Sequence, residues 1–306
     1  MEIKNYSSVS KEVLYNWLPH NLKAEEVIFF PDVCPGRSPL PTGTTVITKQ
    51  EDWRRFTLSD IGCGMMFLKS DLHLEDFDTT EWDKLCNLLK ISKNTQCDLG
   101  SGNHFLNCYV SNSEELYFVI HTGSRLEGKE VENLIDNPAK FDIEYKNTME
   151  WAKGNRLGIK ALIDKVFDKT EIILDKPHNS FEIFEDKVVI RKGTVKLLEG
   201  ELSIIPSNMD GDMALVKAKK EIESAGYSIS HGSGRKFSRS EAKKYANEYD
   251  YEALRRRVYI PKEISNDSIK TEAPFCYRDL DGCMELISDL VEEIERFTPV
   301  AYIGQL

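Results

Sequence analysis

Only six histidines and seven cysteines occur among 306 residues, and no two cysteines form a C-x-x-C pair. That spacing offers no regular zinc or disulfide framework, and the odd thiol count reads as a reducing, intracellular setting. No apolar run approaches the roughly 20 residues needed to span a bilayer. The start, Met1-Glu2-Ile3-Lys4-Asn5, lacks the basic-then-apolar order of a secretory leader. Positive charge is in deficit, with 40 Lys and Arg against 51 Asp and Glu and a net charge of -11. This argues against a protein that coats nucleic acid non-specifically, and leaves room for a local basic groove. Internal repeats and low-complexity linkers are also absent. The expectation is a cytoplasmic protein without membrane attachment, long enough for one large domain or two modest ones.

What is present is a mixture of strand and helix signals. Residues 1–25 read as a short helical lead-in. Val27 to Phe30 reads as a strand ending at Pro31, and Pro31 to Arg37 as a rigid loop, because two prolines and a glycine disfavour regular structure. β-branched Thr44 to Thr48 is strand-like, as are Leu106 to Val110, Leu116 to Ile120 and Leu202 to Pro206. Lys187 to Val195 reads as a strand pair turning at Gly193. Helical patterns cover Glu81 to Leu89, much of 127–168, Ser240 to Val258, and Leu280 to Arg296. The blocks do not alternate strictly, so the predicted class is α+β rather than a doubly wound parallel sheet.

The chemistry centres on Asp60-Ile61-Gly62-Cys63-Gly64, where flanking glycines let the backbone turn tightly around a thiol three residues from a carboxylate. Alone, D-x-x-C is a weak signal, and a cysteine among apolar neighbours is usually inert. The histidines change that balance. His104, His121, His178 and His231 all stand at turn-like or strand-end sites, where binding groups concentrate, whereas His20 and His73 read as surface residues. Asp60, Cys63, His104, His121 and His178 offer mixed O, S and N donors. One closed tetrahedral zinc would not need all of them. Two divalent ions sharing the thiolate would, with zinc or manganese compatible with the set.

His231 is left over by that count. It opens His231-Gly232-Ser233-Gly234-Arg235, with Arg239 a turn later, a setting in which small residues admit a phosphate and arginine grips it. A histidine there can act as a nucleophile on phosphorus. Further phosphate candidates are Arg125, Arg191, Lys192 and the turn Ser207-Asn208-Met209-Asp210-Gly211. Asp32 reads either as a functional residue or as a loop-stabilising one.

In these residues the sequence resembles the RtcB-type RNA ligases, which implies a single domain over residues 1–306 with central β-sheets flanked by helices and a metal-binding cleft. The matching stretches are Pro31 to Gly36, Asp60 to Met65, Gly102-Asn103-His104-Phe105, His121 to Arg125, Arg191-Lys192-Gly193, His231 to Arg235 and Ala273-Pro274-Phe275-Cys276-Tyr277. The resemblance implies an enzyme that joins RNA 3′-phosphate or 2′,3′-cyclic phosphate ends to 5′-hydroxyl ends, using GTP and manganese, in RNA repair or tRNA splicing. By the same resemblance, Cys63 would bridge two Mn²⁺ ions, with Asp60 and His104 completing one site and His121 and His178 the other. His231 would take guanylate from GTP. Asn103, Ser207, Asp210, Gly232, Gly234 and Arg235 would contact the nucleotide, and Arg125, Arg191 and Arg239 the RNA. The implied partners are RNA with broken ends and GTP, with room for an activating protein.

The sequence also departs from the family. Cys34 replaces a usual histidine, Asn107 a usual glutamate, and Arg278 a usual lysine, and Gly304-Gln305-Leu306 stands where members commonly end in Lys-Gly. The Glu and Lys positions are implied in guanine recognition, so altered base selectivity is expected. The alternatives are a metal-dependent phosphoesterase or a non-catalytic RNA-end-binding protein.

Overall fold

Two sheets that exchange strands carry the site. The computed structural model describes residues 1–35, 39–57, 60–124 and 127–306; Gly36, Arg37, Ser59 and Arg125 lie outside them. The strands are β1 (Glu2–Asn5), β2 (Ala24–Cys34), β3 (Thr42–Thr48), β4 (Gly64–His73), β5 (Phe105–Val110), β6 (Glu115–Thr122) and β7 (Thr170–Pro177). They continue with β8 (Asn179–Phe184), β9 (Lys187–Lys192), β10 (Thr194–Lys196), β11 (Leu202–Pro206), β12 (Met213–Ala218), β13 (Ser228–Ser230) and β14 (Val291–Ile303). A five-stranded sheet runs β1-β2-β3-β9-β8, a seven-stranded sheet runs β11-β12-β14-β5-β6-β4-β7, and β10 pairs β13. The helices are α1 (Lys11–Asn16), α2 (Thr79–Ile91), α3 (Pro138–Val166), α4 (Arg239–Tyr245), α5 (Tyr251–Arg257), α6 (Asn266–Ile269) and α7 (Leu280–Leu286). The fold is α+β, as the sequence predicts. Among the described residues, no helix is long and apolar enough to cross a membrane.

Alternation along the central strands decides what faces the site. Met66 and Leu68 of β4, Leu106 and Cys108 of β5, and Phe118 and Ile120 of β6 form one buried cluster. They meet Trp82, Leu85 and Leu89 of α2 and Ile159 and Ile163 of α3, which recur at helical spacing. Each such side chain contributes about 1.5–3 kcal/mol by leaving water. The intervening residues Met65, Phe67, Tyr109, Tyr117 and Val119 take the opposite face. By the same period of two, Asn107 and His121 belong to that second face. The register places His121 between Met65 and Phe105.

The chain changes sheets twice beside this face. β7 ends at Pro177 in the large sheet and β8 begins at Asn179 in the small one, so His178 is the crossing residue. β9 ends at Lys192 and β10 begins at Thr194, with Gly193 between them at φ 67°. The predicted hairpin at Gly193 is therefore corrected: β9 pairs with β3 and β8, and β10 with β13.

Other boundaries are corrected as well. Residues 2–5 form a strand rather than part of a helical lead-in. β2 runs through Pro31 to Cys34, because a register shift between Phe29 and Cys34 absorbs the proline's missing donor. The helix expected over 240–258 is interrupted, and Asp250 caps its second half by accepting from the Ala253 amide. The pattern from Leu280 to Arg296 is helix only to Leu286. From Val291 the chain becomes β14, held between β12 and β5, a case of sheet pairing overriding a Glu-rich, helix-like composition.

Candidate metal centre and cleft

A tight turn builds the first part of the centre. The Cys63 amide donates to the Asp60 carbonyl at 3.0 Å, with Asp60 at φ 51° and Gly62 at φ 71°. Left-handed backbone at a non-glycine residue is a local strain that surrounding contacts must hold. Two side chains do so. Arg156, buried within α3, donates to the Gly62 carbonyl at 2.9 Å and the Thr122 carbonyl at 3.2 Å and pairs with Asp175. Asn179 donates to the Asp60 carbonyl at 3.0 Å and accepts from the Gly193 amide at 2.9 Å.

The turn brings the predicted donors together. Cys63 Sγ lies 3.3 Å from His104 Nε2 and 3.3 Å from His121 Nε2, and Asp60 Oδ2 lies 2.9 Å from His104 Nε2. The ligand atoms of Cys63, His104 and His121 all fall within 4.8 Å of one another. The His178 ring centre is 5.0 Å from that of His121. Cys63, His104, His121 and His178 are buried, and Asp60 is partly exposed. His178 Nδ1 is buried without a hydrogen-bond partner among the described residues. A buried polar atom left in that state fits a site that takes something more.

Electrostatics points the same way. Burial pushes the Cys63 thiol well above its ordinary value, and the Asp60 carboxylate reinforces the effect. Burial also drives His121 and His178 well below the imidazole range; His104 and His231 add to it for His121, and His231 and His121 for His178. Burial opposes ionisation of Asp60, but His104 and Lys192 together hold its carboxyl far below the usual range. Neutral imidazoles and a carboxylate are ready ligands, and a divalent cation would bring the thiol to thiolate. The donor chemistry fits a divalent transition metal.

The buried histidines imply a pH signature for chelated protein. Their folded values are depressed, so their contribution to stability is present above the unfolded value of about 6.5 and lost as pH falls. Each adds a slope of at most about 1.4 kcal/mol per pH unit. Cys63 is raised, so its contribution is present below the unfolded thiol value of about 8.5 and lost as pH rises. Thermal melts in chelator should therefore peak between about pH 6.5 and 8.5. A melting temperature flat from pH 5 to pH 10 would contradict this description.

His231 faces the donors from the far side. Its ring centre is 4.4 Å from His178 and 6.0 Å from His121. Its Nδ1 lies 2.6 Å from Asp32 Oδ2 and 2.8 Å from the Gly193 carbonyl. Both partners accept, so in the neutral ring Nδ1 carries the hydrogen and Nε2 keeps its lone pair. Asp32, which the sequence left open between two roles, is fully buried on β2 with its carboxylate on His231. Arg278 clamps it by donating to the carbonyls on either side, Pro31 at 2.5 Å and Val33 at 3.0 Å. Gly234, at φ 79°, lets the following loop pass, since an added Cβ would sit 2.4 Å from Asp32 Cα.

Asp32, Asp60, Cys63, His121, His178 and His231 open into a cavity of about 1000 Å³, lined also by Asn103, Asn107, Lys192, Ser207, Gly232, Gly234, Arg235 and Arg239. Arg235 is anchored, donating to Glu272 at 2.7 Å, and Arg239 reaches the same carboxylate at 2.8 Å while half-exposed. Ser207 lies in the wall, where its hydroxyl donates to the Asp212 carbonyl at 2.7 Å. Two expectations do not hold in this geometry. Arg191 points away from the cavity, with its guanidinium on Ser228, Gly226, Tyr227 and Glu182; alternation along β9 presents Lys192 instead. Asp210 lies outside the lining and pairs with Arg257 at 2.7 Å. Arg125 is outside the described residues. Sequence reasoning missed Asn179, Arg156 and the clamp of Arg278. Only Arg156 carried a signal, a charge on an otherwise core-facing stripe of α3.

Fold and site together define an α+β protein with a buried mixed-donor centre suited to a divalent metal, facing a carboxylate-held histidine across one cleft. The family model described as "tRNA-splicing ligase RtcB" matches residues 139–305, more than half of the chain, and the chain belongs to that family. It is 27% identical over 239 residues to RNA-splicing ligase RtcB of Escherichia coli (strain K12), covering 64% of this chain and 58% of that protein. The figures for RNA-splicing ligase RtcB1 of Escherichia coli (strain ATCC 25922) are the same. RNA-splicing ligase RtcB2 of that strain is 22% identical over a 331-residue alignment covering 90% of this chain and 87% of the relative. The chain thus spans under two thirds of the first two relatives.

Proposed function

We propose that this protein is a GTP- and Mn²⁺-dependent RNA ligase, one catalytic unit over residues 1–306 acting in the cytoplasm in RNA repair or tRNA splicing. The observation that carries the reading is His231, its Nδ1 fixed by Asp32 and Gly193 and its ring 4.4 Å from His178 beside the metal donors. Asp60, Cys63, His104, His121 and His178 would hold the two Mn²⁺ ions. Bound metal supplies neutralisation of phosphoryl charge and alignment of the reacting oxygens.

The remaining steps belong to side chains of this chain. His231 Nε2 attacks the α-phosphorus of GTP; a P–N bond forms, the bond to the bridging oxygen breaks, and pyrophosphate leaves. Asp32 and Gly193 hold the Nδ1 hydrogen and stabilise the charge that builds on the ring. An RNA 3′-phosphate oxygen then attacks the guanylate and breaks the P–N bond. The 5′-hydroxyl of the second RNA end attacks the activated 3′-phosphate, loses its proton and releases GMP. Asn103, Lys192, Arg235 and Arg239 line the cleft where these phosphates would lie.

Base selectivity falls to Asn107. It is 1% exposed, its Oδ1 has no hydrogen-bond partner among the described residues, and its amide nitrogen donates to the Tyr109 hydroxyl at 3.2 Å. A neutral amide offers one donor and one acceptor edge, which several bases match, whereas a carboxylate would favour the two donors of guanine.

The test is incubation of the Mn²⁺-loaded protein with each of four α-³²P-labelled nucleoside triphosphates. Expected is acid-labile label on the protein, absent from His231→Ala, with weak base preference that Asn107→Glu sharpens toward GTP by about tenfold. No label with any nucleotide, together with metal-dependent phosphate-ester hydrolysis, would favour the phosphoesterase reading that Asn107 also admits.

A further inference from the structure

In the segment after the His231 loop the mechanism uses Arg235 and Arg239 and leaves the lysines and aromatic rings unused. Residues 235–245 read Arg-Lys-Phe-Ser-Arg-Ser-Glu-Ala-Lys-Lys-Tyr, five cations and one carboxylate in a chain of net charge -11. The carboxylate is committed: Glu241 and Ser238 form the reciprocal cap that starts α4. Lys236, Phe237 and Ser238 line the mouth of the cleft. Tyr245, at the end of α4, is 48% exposed, and its ring centre lies 5.2 Å from that of Phe237 at an interplanar angle of 36°. Lys236, Lys243 and Lys244 are exposed, and Lys236 and Lys243 form no ion pair among the described residues. Phe237 carries this aromatic pair to the cleft wall, and exposed lysines adjoin both rings in the chain, Lys236 before Phe237 and Lys243-Lys244 before Tyr245.

That pairing of features selects a partner. Single-stranded nucleic acid offers unstacked base faces and a phosphate at every step, which aromatic rings and lysines bind together. A duplex hides its base faces, and an acidic peptide has no use for the rings. Resting on the ligase reading, we infer that Phe237 and Tyr245, with Lys236, Lys243 and Lys244, form a stacking platform for the unpaired RNA strand whose phosphate end enters the cleft. The platform holds nucleotides next to the reacting end and sets RNA affinity, while nucleotide transfer to His231 proceeds without it.

The experiment measures anisotropy of a fluorescent single-stranded oligoribonucleotide with a 3′-phosphate, of about ten nucleotides, enough to cover a site of the usual size. Tyr245→Leu is expected to weaken binding about tenfold, and Tyr245→Phe, which keeps the ring face, to bind like wild type. Lys243→Glu with Lys244→Glu should weaken binding and flatten the slope of log affinity against log salt by about 1. His231 labelling by GTP should stay at the wild-type level in every variant, and melting temperatures confirm folding. Wild-type RNA affinity in both Tyr245→Leu and the lysine pair would overturn the platform, as would equal losses for duplex and single strand. Binding does not require turnover, so absent labelling in the wild type would sink the ligase reading and leave the platform to be judged by affinity alone.

Discussion

An Asp32→Asn variant is expected to lose nucleotide transfer to His231 by about 10³–10⁴-fold, with metal content unchanged. That corresponds to about 4–5.5 kcal/mol of barrier. The cause is tautomeric. Asp32 Oδ2 accepts the Nδ1 hydrogen at 2.6 Å from a fully buried position, so Nε2 is left with its lone pair on a ring whose centre is 4.4 Å from that of His178. An amide can present its nitrogen there instead, which favours hydrogen on Nε2 and removes the nucleophile's lone pair. The Gly193 carbonyl at 2.8 Å still accepts, so some activity should survive, in contrast to the complete loss expected for His231→Ala. Rates of label incorporation, with metal counted by mass spectrometry, decide the matter. A variant within tenfold of wild type would show that Asp32 does not orient the ring.

Cys63→Ala should abolish metal-dependent activity, by at least about 10³-fold, and also remove the stabilisation that metal confers. Cys63 Sγ stands 3.3 Å from both His104 Nε2 and His121 Nε2, at the centre of the donor set. Without it those nitrogens converge on nothing that binds them to one another. Wild type should gain about 2.7 kcal/mol at Mn²⁺ a hundredfold above its dissociation constant, read as a rise in melting temperature. The variant should show almost none of this rise. In chelator the variant should melt only a few degrees below wild type, because a neutral buried thiol is a small apolar group and its loss costs on the order of 1 kcal/mol. A full Mn²⁺-induced shift in Cys63→Ala would place the metal elsewhere.

The donor set was legible because ligand chemistry is restricted to few residue types and strand ends and turns are marked by glycine and asparagine. Asp60, Cys63, His104 and His121 converge as their settings suggest, with His178 beside them. The second coordination of these groups was not legible. Asn179 joins the Asp60 turn to Gly193, and Arg278 frames Asp32, through hydrogen bonds between residues far apart in the chain. No local pattern encodes such pairings. Arg191 and Lys192 were both phosphate candidates, because composition alone does not tell which face of a strand meets the cavity. β14 was hidden for a related reason: Glu292, Glu293 and Glu295 suit a helix until neighbours on both sides supply backbone partners.

From its residues alone, this chain declared an α+β class, a thiolate-imidazole-carboxylate donor set and a glycine-flanked histidine, since period, turn chemistry and ligand type are local properties. The tertiary structure alone decided that His178 and Gly193 stand where the chain crosses between sheets, that Asp32 reaches His231, and that Asn107 lines the cavity with an oxygen that has no partner among the described residues. Those placements follow from strand register and packing, in which each contact depends on where distant segments settle.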